Sequence, residues 1–200
     1  KLSDSVNVKV DSKINANAGS DITVCEGSKV LLTATGGVGY LWNTGSTTDT
    51  IGVTINSDTT FYVTVYSAAG CLAWDSINIS RNSLPSVSIS GLGSKYCVND
   101  TDITLTGNPS GGIFYGNGIM GNIFSPVLAG SGVHNIIYEY TDGNSCTGRD
   151  TQQVIVYGLP AADAGLDRAI CIGDSTMLNA TGGHLYSWDN GMVTQSFYVK

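Results

Sequence analysis

Glutamate is nearly missing from this chain: its 200 residues hold 2 Glu beside 14 Asp, with only 6 Lys and 3 Arg. Helices draw on Glu and Lys for their solvent faces, so composition excludes a helical protein. The nine basic residues are thinly spread and the net charge is −7. That excludes a nucleic-acid partner, whose phosphates need a basic face. No run of about 18 apolar residues occurs, so no membrane-spanning helix is expected. Residues 1–20 are polar and contain no apolar signal segment. A removed leader or a longer parent chain is therefore expected. Two histidines and no Cys-x-x-Cys cannot complete a zinc site of the usual spacing.

What is abundant points one way. Gly (26), Ser (22), Thr (20), Val (17), Ile (16) and Asn (15) dominate. The β-branched residues suit strands, and Gly, Asn, Asp and Ser suit tight turns. Hydrophobic residues at 42% can build a core. An all-β protein with many turns is expected.

The chain also repeats itself. At an offset of 146, residues 16–54 align with 162–200 without a gap, and 16 of the 39 positions are identical. They include Cys25/Cys171, the Ala-Thr-Gly-Gly runs 34–37 and 180–183, Tyr40/Tyr186 and Trp42/Trp188. Chance does not produce this at one fixed offset. A shorter echo links residues 4–10, 75–79 and 150–156, each alternating apolar and polar residues as a half-buried strand does. Val6, Val8 and Val10 share one face of the first, and Ile77 and Ile79 one face of the second.

Four segments follow. Residues 1–12 read as the last strand of a preceding module. Residues 13–81 read as one complete module and 86–157 as a second module of a different type. Residues 161–200 read as the first half of a third module like the first. The chain is thus expected to be an excerpt of a longer one. Leu84-Pro85 and Leu159-Pro160 mark matching joints. Proline restricts itself and the residue before it, so semi-rigid joints and a rod are expected.

Five cysteines lie at 25, 71, 97, 146 and 171. The module map pairs Cys25 with Cys71 and Cys97 with Cys146, and leaves Cys171 unpaired in this segment. Each bridge would close a loop of nearly 50 residues, worth roughly 4 kcal/mol in the chain-entropy model. Such pairs imply an oxidising, extracellular setting. The alternative is reduced, buried thiols.

Strands are expected near 21–24, 30–34, 39–42, 50–55, 60–66 and 75–80 in the first module. In the second they are expected near 86–90, 102–106, 112–115, 122–125, 133–140 and 151–157. Six or so short strands with regular turn signals predict tandem Ig-like antiparallel β-sandwiches in a rod. Tyr40-Leu-Trp42 is expected at the aromatic centre of the first core, between turns at Gly36-Gly37 and Asn43-Thr-Gly45. The bridge is expected to tie the first strand to the loop before the last strand, unlike the core-strand bridge of an antibody domain.

The pattern Ala18-Gly19-x-Asp21, Cys25-x-Gly27, Leu32, Ala34-Thr-Gly-Gly37, Tyr40-x-Trp42, Gly45, Tyr62-x-Val-x-Val, Cys71 and Asp75 resembles the PKD-like/Ig-like modules of giant Bacteroidetes surface proteins. The second module resembles a companion type through Tyr96-Cys97, Leu105-Thr-Gly-Asn-Pro-Ser-Gly-Gly112, Phe124-Ser-Pro126, Tyr138-x-Tyr140-Thr-Asp142 and Cys146. The resemblance covers nearly the whole chain. It implies an adhesin exported by type IX secretion, of the kind associated with gliding motility, or a spacer of a secreted enzyme. It also implies O-glycosylation at Asp-Ser/Thr sites followed by Ala, Ile, Leu, Val, Met or Thr, here Ser5, Thr50, Thr59, Ser76 and Ser175.

Catalysis has no support in the residues. His134 falls in a strand, His184 in a turn, and neither is matched to a nucleophile. Gly116-x-Gly118 and Gly111-Gly112 lack the following helix of a phosphate loop and read as turns. Calcium is the candidate cofactor, because carboxylates can meet carbonyls at a module joint. Its candidate ligands are Asp163 with Asp167, Asp21 near Asn17, and Asp100 with Asp102. Turn capping by the same aspartates is the alternative. Trp42 and Trp188 are expected in cores. Trp74, just past Cys71, is expected at the surface, where it could stack on a glycan or a partner.

The expected function is a non-catalytic structural or adhesive segment of a long extracellular surface protein, acting as a disulfide-stabilised stalk. Its partners would be neighbouring modules of the same chain, surface glycans, or identical chains in a fibre. The alternatives are a repeating subunit of a surface filament joined by strand addition, and spacer modules of a secreted hydrolase.

Overall fold

The computed structural model describes residues 3–8, 10 and 12–200. No strand forms among the described residues before position 17, and Val6, Val8 and Val10 are exposed. The expected strand over 1–12 falls partly on Lys1, Leu2, Lys9 and Asp11, which lie outside the described residues. The chain divides into two compact units. The first runs to Val87 and includes Glu139–Arg149; the second holds Ser88–Tyr138 and Asp150–Lys200.

The first unit is an Ig-like sandwich. Its strands are β1 (Ile22–Cys25), β2 (Ser28–Thr33), β3 (Gly39–Trp42), β4 (Thr50–Ile55), β5 (Thr59–Tyr66) and β6 (Leu72–Asn82). One sheet has the order β1-β6-β5-β3, and the other pairs β2 with β4. All six lie where the alternation places them. The apolar face of β5 supplies Phe61, Val63 and Val65, and that of β6 supplies Ile77 and Ile79. Leu32 and Ile51 come from the opposite sheet and Ala34 from the position just after β2, and all are buried. Each Val, Leu, Ile or Phe among them contributes roughly 1.5–3 kcal/mol by leaving water. Trp42 sits among them, 1% exposed, and its indole N–H donates to the Thr48 carbonyl at 3.0 Å.

The expected purely antiparallel pairing is corrected in the first unit by β1 and beyond the joint by the strand Lys95–Cys97. Strand β1 runs parallel to β6, with Ile22 opposite Ile79 and Cys25 opposite Asn82. The chain first bridges to the β2 side through Asn17 and Thr35. It then crosses to the other sheet and lies along the last strand in the same direction.

The Ala-Thr-Gly-Gly motif has a steric cause. Gly36 adopts φ +108°, and a Cβ there would overlap the Asn15 carbonyl. A Cβ on Gly37 would overlap the Tyr66 carbonyl and Val65.

Beyond the joint come β7 (Ser88–Ser90), β8 (Lys95–Cys97), β9 (Ile103–Thr104), β10 (Thr106–Asn108), β11 (Ile113–Tyr115), β12 (Ile119–Met120) and β13 (Ile123–Phe124). One helical turn, α1 (Pro126–Ala129), precedes β14 (Gly132–Thr141) and β15 (Thr147–Tyr157). The sheet orders are β11-β14-β15-β8, β10-β7 and β12-β13-β9. Strand β8, absent from the expected set, runs parallel to β15 with Cys97 opposite Tyr157. The core holds Ile89, Leu105, Phe114, Phe124, Ile136, Tyr138, Val154 and Val156. The Tyr138 hydroxyl donates to the Pro109 carbonyl at 2.6 Å and accepts from Gly112 N–H at 2.7 Å. A Cβ on Gly107 would overlap the Tyr138 ring, which explains the glycine in that stretch.

Residues 161–200 form a hairpin, β16 (Thr176–Asn179) with β17 (Ser196–Val199). Its local bonds repeat those of the first module 146 residues earlier. Asp163 bridges Thr181 as Asn17 bridges Thr35. Trp188 Nε1 donates to Thr194 as Trp42 does to Thr48. Tyr186 donates to Gly183 as Tyr40 does to Gly37. Trp188 is only half-buried, against the edge of Phe197 at a centroid distance of 4.9 Å. Residues 161–200 contain no counterparts of β5 and β6, the strands that carry much of the core around Trp42.

Among the described residues no helix is long and apolar enough to cross a membrane.

Candidate functional site

The most distinctive chemical feature is a covalent link. Cys25 is bonded to Cys146, 121 positions away, with a Cα–Cα distance of 5.4 Å. The expected bridges Cys25–Cys71 and Cys97–Cys146 are therefore corrected. Cys71, Cys97 and Cys171 are free and exposed.

Strand geometry gives the reason. Cys25 is in register with Asn82, the last residue of β6, whereas Cys71 immediately precedes Leu72, the first. At about 3.3 Å per residue the two cysteines lie roughly 35 Å apart along that strand. A disulfide needs Cα atoms within about 7 Å. The second pair fails identically. Cys97 is in register with Tyr157, the last residue of β15, and Cys146 immediately precedes Thr147, the first. The link does tie a first strand to the turn before a last strand, as expected in kind, but that turn comes from the segment read from sequence as the second module, and it packs within the first compact unit.

Both sulfurs are held by ordered backbone. Cys25 ends β1, and the next residue, Glu26, donates its N–H to the Asn82 carbonyl at 2.9 Å. Cys146 closes a five-residue turn. There the Asp142 carboxylate accepts the N–H groups of Asn144 and Cys146, both at 2.9 Å. Asp142 N–H donates to the Cys146 carbonyl at 2.9 Å. Ser145 takes φ +63° to make the turn. Ion pairs flank each half: Arg81 with Glu26, and Arg149 with Glu139. Gly148, two residues past Cys146, lies where a Cβ would overlap the Pro85 carbonyl and Val87.

The calcium candidates are not gathered together. Asp21 binds Asn78, accepting its backbone N–H at 2.8 Å and its side-chain amide at 3.1 Å. Those bonds, the backbone one foremost, hold its pKa below the usual 3.8. Asp100 accepts Cys97 N–H at 2.7 Å, and Asp163 accepts Gly165 N–H at 2.8 Å, both turn-capping bonds. Asn17 does the same for Gly19. Asp102 and Asp167 are exposed. Among the described residues no three His, Cys, Asp or Glu side chains converge as a metal site.

Of the glycosylation candidates, Ser5 and Ser175 are exposed. Thr50, Thr59 and Ser76 are half-buried within strands. Of the histidines, His134 is buried with Nε2 2.9 Å from the Gly130 carbonyl, and His184 is exposed. Trp74 is 75% exposed. It stands opposite Thr64, which stands opposite Leu41, in one row across the outer face of the first sheet. Tyr62 and Leu72 flank that row, also exposed.

Two aspartates outside the calcium candidates do structural work. Asp75 accepts Ala18 N–H at 2.9 Å, and Asp150, 75 residues on, accepts Ile89 N–H at 2.8 Å. Their place in the short repeated motif was the available signal.

No family model matches the sequence, and no curated protein matches it. Among solved structures, the insect immune protein hemolin aligns over 76% of this chain and 49% of its own, at 12% identity and TM-score 0.34. The chain thus spans about half the length of that structure. A calcium-stabilised adhesin with which an Antarctic bacterium binds ice aligns over 87% of this chain and 58% of its own, at 13% identity and TM-score 0.34. A 1.5-MDa bacterial ice-binding adhesin aligns over 86% and 77%, at 13% identity and TM-score 0.30.

Proposed function

We propose that this chain is a non-catalytic structural and adhesive segment of a long extracellular surface protein. Its modules form a disulfide-stabilised stalk. The observation that carries the reading is the repeat. The same motif and the same hydrogen bonds recur at 17–54 and 163–200, with a module of another type between them. A repeating series of modules supplies length, not a reaction centre. The Cys25–Cys146 bond supports an oxidising compartment outside the cell. The resemblance to Bacteroidetes PKD-like modules supports export by type IX secretion.

Calcium at Asp21, Asp100, Asp102, Asp163 and Asp167, and O-glycans at Ser5, Thr50, Thr59, Ser76 and Ser175, belong to the same reading. Titration calorimetry on metal-stripped protein tests the first, and no heat with no melting shift discards it. The intact mass of native material tests the second, and a mass equal to the bare chain discards it.

The size and exposure of the native polypeptide test the main proposal. Antibody to residues 13–157 is used on unreduced whole-cell blots, before and after surface protease. A band of very high mass, lost on shaving, is expected. A band near the 20.8 kDa of this chain, or a ladder of it, overturns the stalk and favours a fibre subunit.

A further inference from the structure

The five cysteines fall into two geometric classes. Cys25 and Cys97 each end a strand that runs parallel to the last strand of its module, opposite that strand's final residue. The residue after each donates its N–H to that final residue: Glu26 to Asn82 at 2.9 Å and Val98 to Tyr157 at 2.8 Å. Cys171 holds the same sequence position in the third segment.

Cys71 and Cys146 form the other class. Each closes the five-residue turn before a last strand. Ser67 N–H donates to the Cys71 carbonyl at 2.9 Å, as Asp142 N–H does to Cys146. The Ser67 hydroxyl accepts the N–H of Ala69 and Cys71, as the Asp142 carboxylate does for Asn144 and Cys146. Gly70 and Ser145 both take positive φ.

The observed bond joins one member of each class. Its strand-end cysteine lies before the Leu84-Pro85 joint, and its turn cysteine lies in the module after it. Within a module the two classes sit at opposite ends of the last strand and cannot meet.

We propose that this is a rule rather than a single event. Cys97 bonds to the turn cysteine of the module that follows the Leu159-Pro160 joint. Cys71 bonds to the strand-end cysteine of the module that precedes its own. The partner is in each case another module of this kind, and the inference rests on the reading of the chain as part of a longer array. Each joint then carries a covalent clamp, and the exposed thiols are half-cystines.

Bond formation proceeds by thiol–disulfide exchange with a small or protein disulfide, oxidised glutathione serving in vitro. The Cys97 thiolate attacks one donor sulfur and the other leaves as a thiolate. The partner thiolate then attacks the Cys97 sulfur and expels the first. The donor departs as two thiols, having taken both electrons and both protons.

The test completes the third module with the chain's own sequence: residues 1–200 followed by residues 55–82. This adds one turn cysteine, the counterpart of Cys71. After folding in a glutathione redox buffer, unreduced peptides are mapped by mass. The expected result is Cys97 linked to the added cysteine with Cys25–Cys146 retained. Iodoacetamide labelling of Cys97 should fall about tenfold against the 200-residue chain, as for a sulfur held in a bridge. An added cysteine linked to Cys171, or Cys97 still labelled while Cys25–Cys146 forms, overturns the rule. The size of the native polypeptide has no bearing on this outcome, so the rule and the stalk can fail separately. Should the extended chain not fold, disulfide mapping of the native surface polypeptide decides. A Cys97 peptide linked to the following module supports the rule; Cys97–Cys146 or Cys25–Cys71 peptides overturn it.

Discussion

Replacing Cys146 by Ser should weaken the segment read as the first module, although that residue lies in the segment read as the second and packs within the first compact unit. The two bonded cysteines are 121 residues apart. If both modules unfold together, the chain-entropy relation gives about 5 kcal/mol for a loop of that length. If the second stays folded, the unfolded stretch from Cys25 to the joint is still held at both ends. Roughly 60 residues then give about 4 kcal/mol. The assay is urea unfolding of C71S/C97S/C171S protein with and without C146S, with the bridge in the parent verified by mass. A loss near 4 kcal/mol is expected, with a steeper transition because the unfolded chain expands once the bridge is gone. The triple replacement alone should stay within about 0.5 kcal/mol of the original, because its three side chains are exposed and form no disulfide. Bridging inside each module predicts the reverse, with C71S as the costly change. A C146S loss below about 1 kcal/mol, with the parent bridge intact, would refute the reasoning.

Three further outcomes follow from the packing. Trp42→Ala, at a site 1% exposed, should cost about 3–5 kcal/mol by chemical denaturation. Trp188→Ala should cost clearly less despite the matching hydrogen bond, and equal losses would contradict the difference in burial. Gly107→Ala sets a methyl against the Tyr138 ring and should destabilise by about 1–3 kcal/mol; an unchanged melting temperature would show that the ring can move aside. Asp21 has a lowered folded-state pKa, so its contribution is complete above the unfolded value near 3.8 and is lost as pH falls through the folded one. Asp21→Asn should flatten the acid limb of the stability profile below that value, and a carboxyl titration by NMR at or above 3.8 would contradict the bonds to Asn78.

The strands were legible because each records its environment locally. In β5, Phe61, Val63 and Val65 face the core at a period of two, and no distant information is needed to see it. The repeat was legible for the same reason. Gly36 and Gly182 are glycines because the backbone at Asn15 and Ala161 leaves no room for a Cβ, so the motif is copied with the fold. Strand β8 was missed because Lys95–Cys97 has three residues and no clear alternation. The parallel placement of β1 and β8 was missed because strand direction depends on where the chain crosses between sheets, which no local pattern encodes.

By itself the sequence determined the class of the protein, the positions of most strands, its repeated organisation and the aromatic centre at Tyr40 and Trp42. Each follows from side-chain burial and turn sterics acting over a few residues. Only the tertiary structure decided which sulfurs meet. Cysteine spacing favoured Cys25 with Cys71, but a strand of 11 residues lies between their positions in the fold, and a disulfide cannot span its length. The bond to Cys146 exists because the turn ahead of β15 packs with the first unit, a proximity set by tertiary packing rather than by any residue pattern.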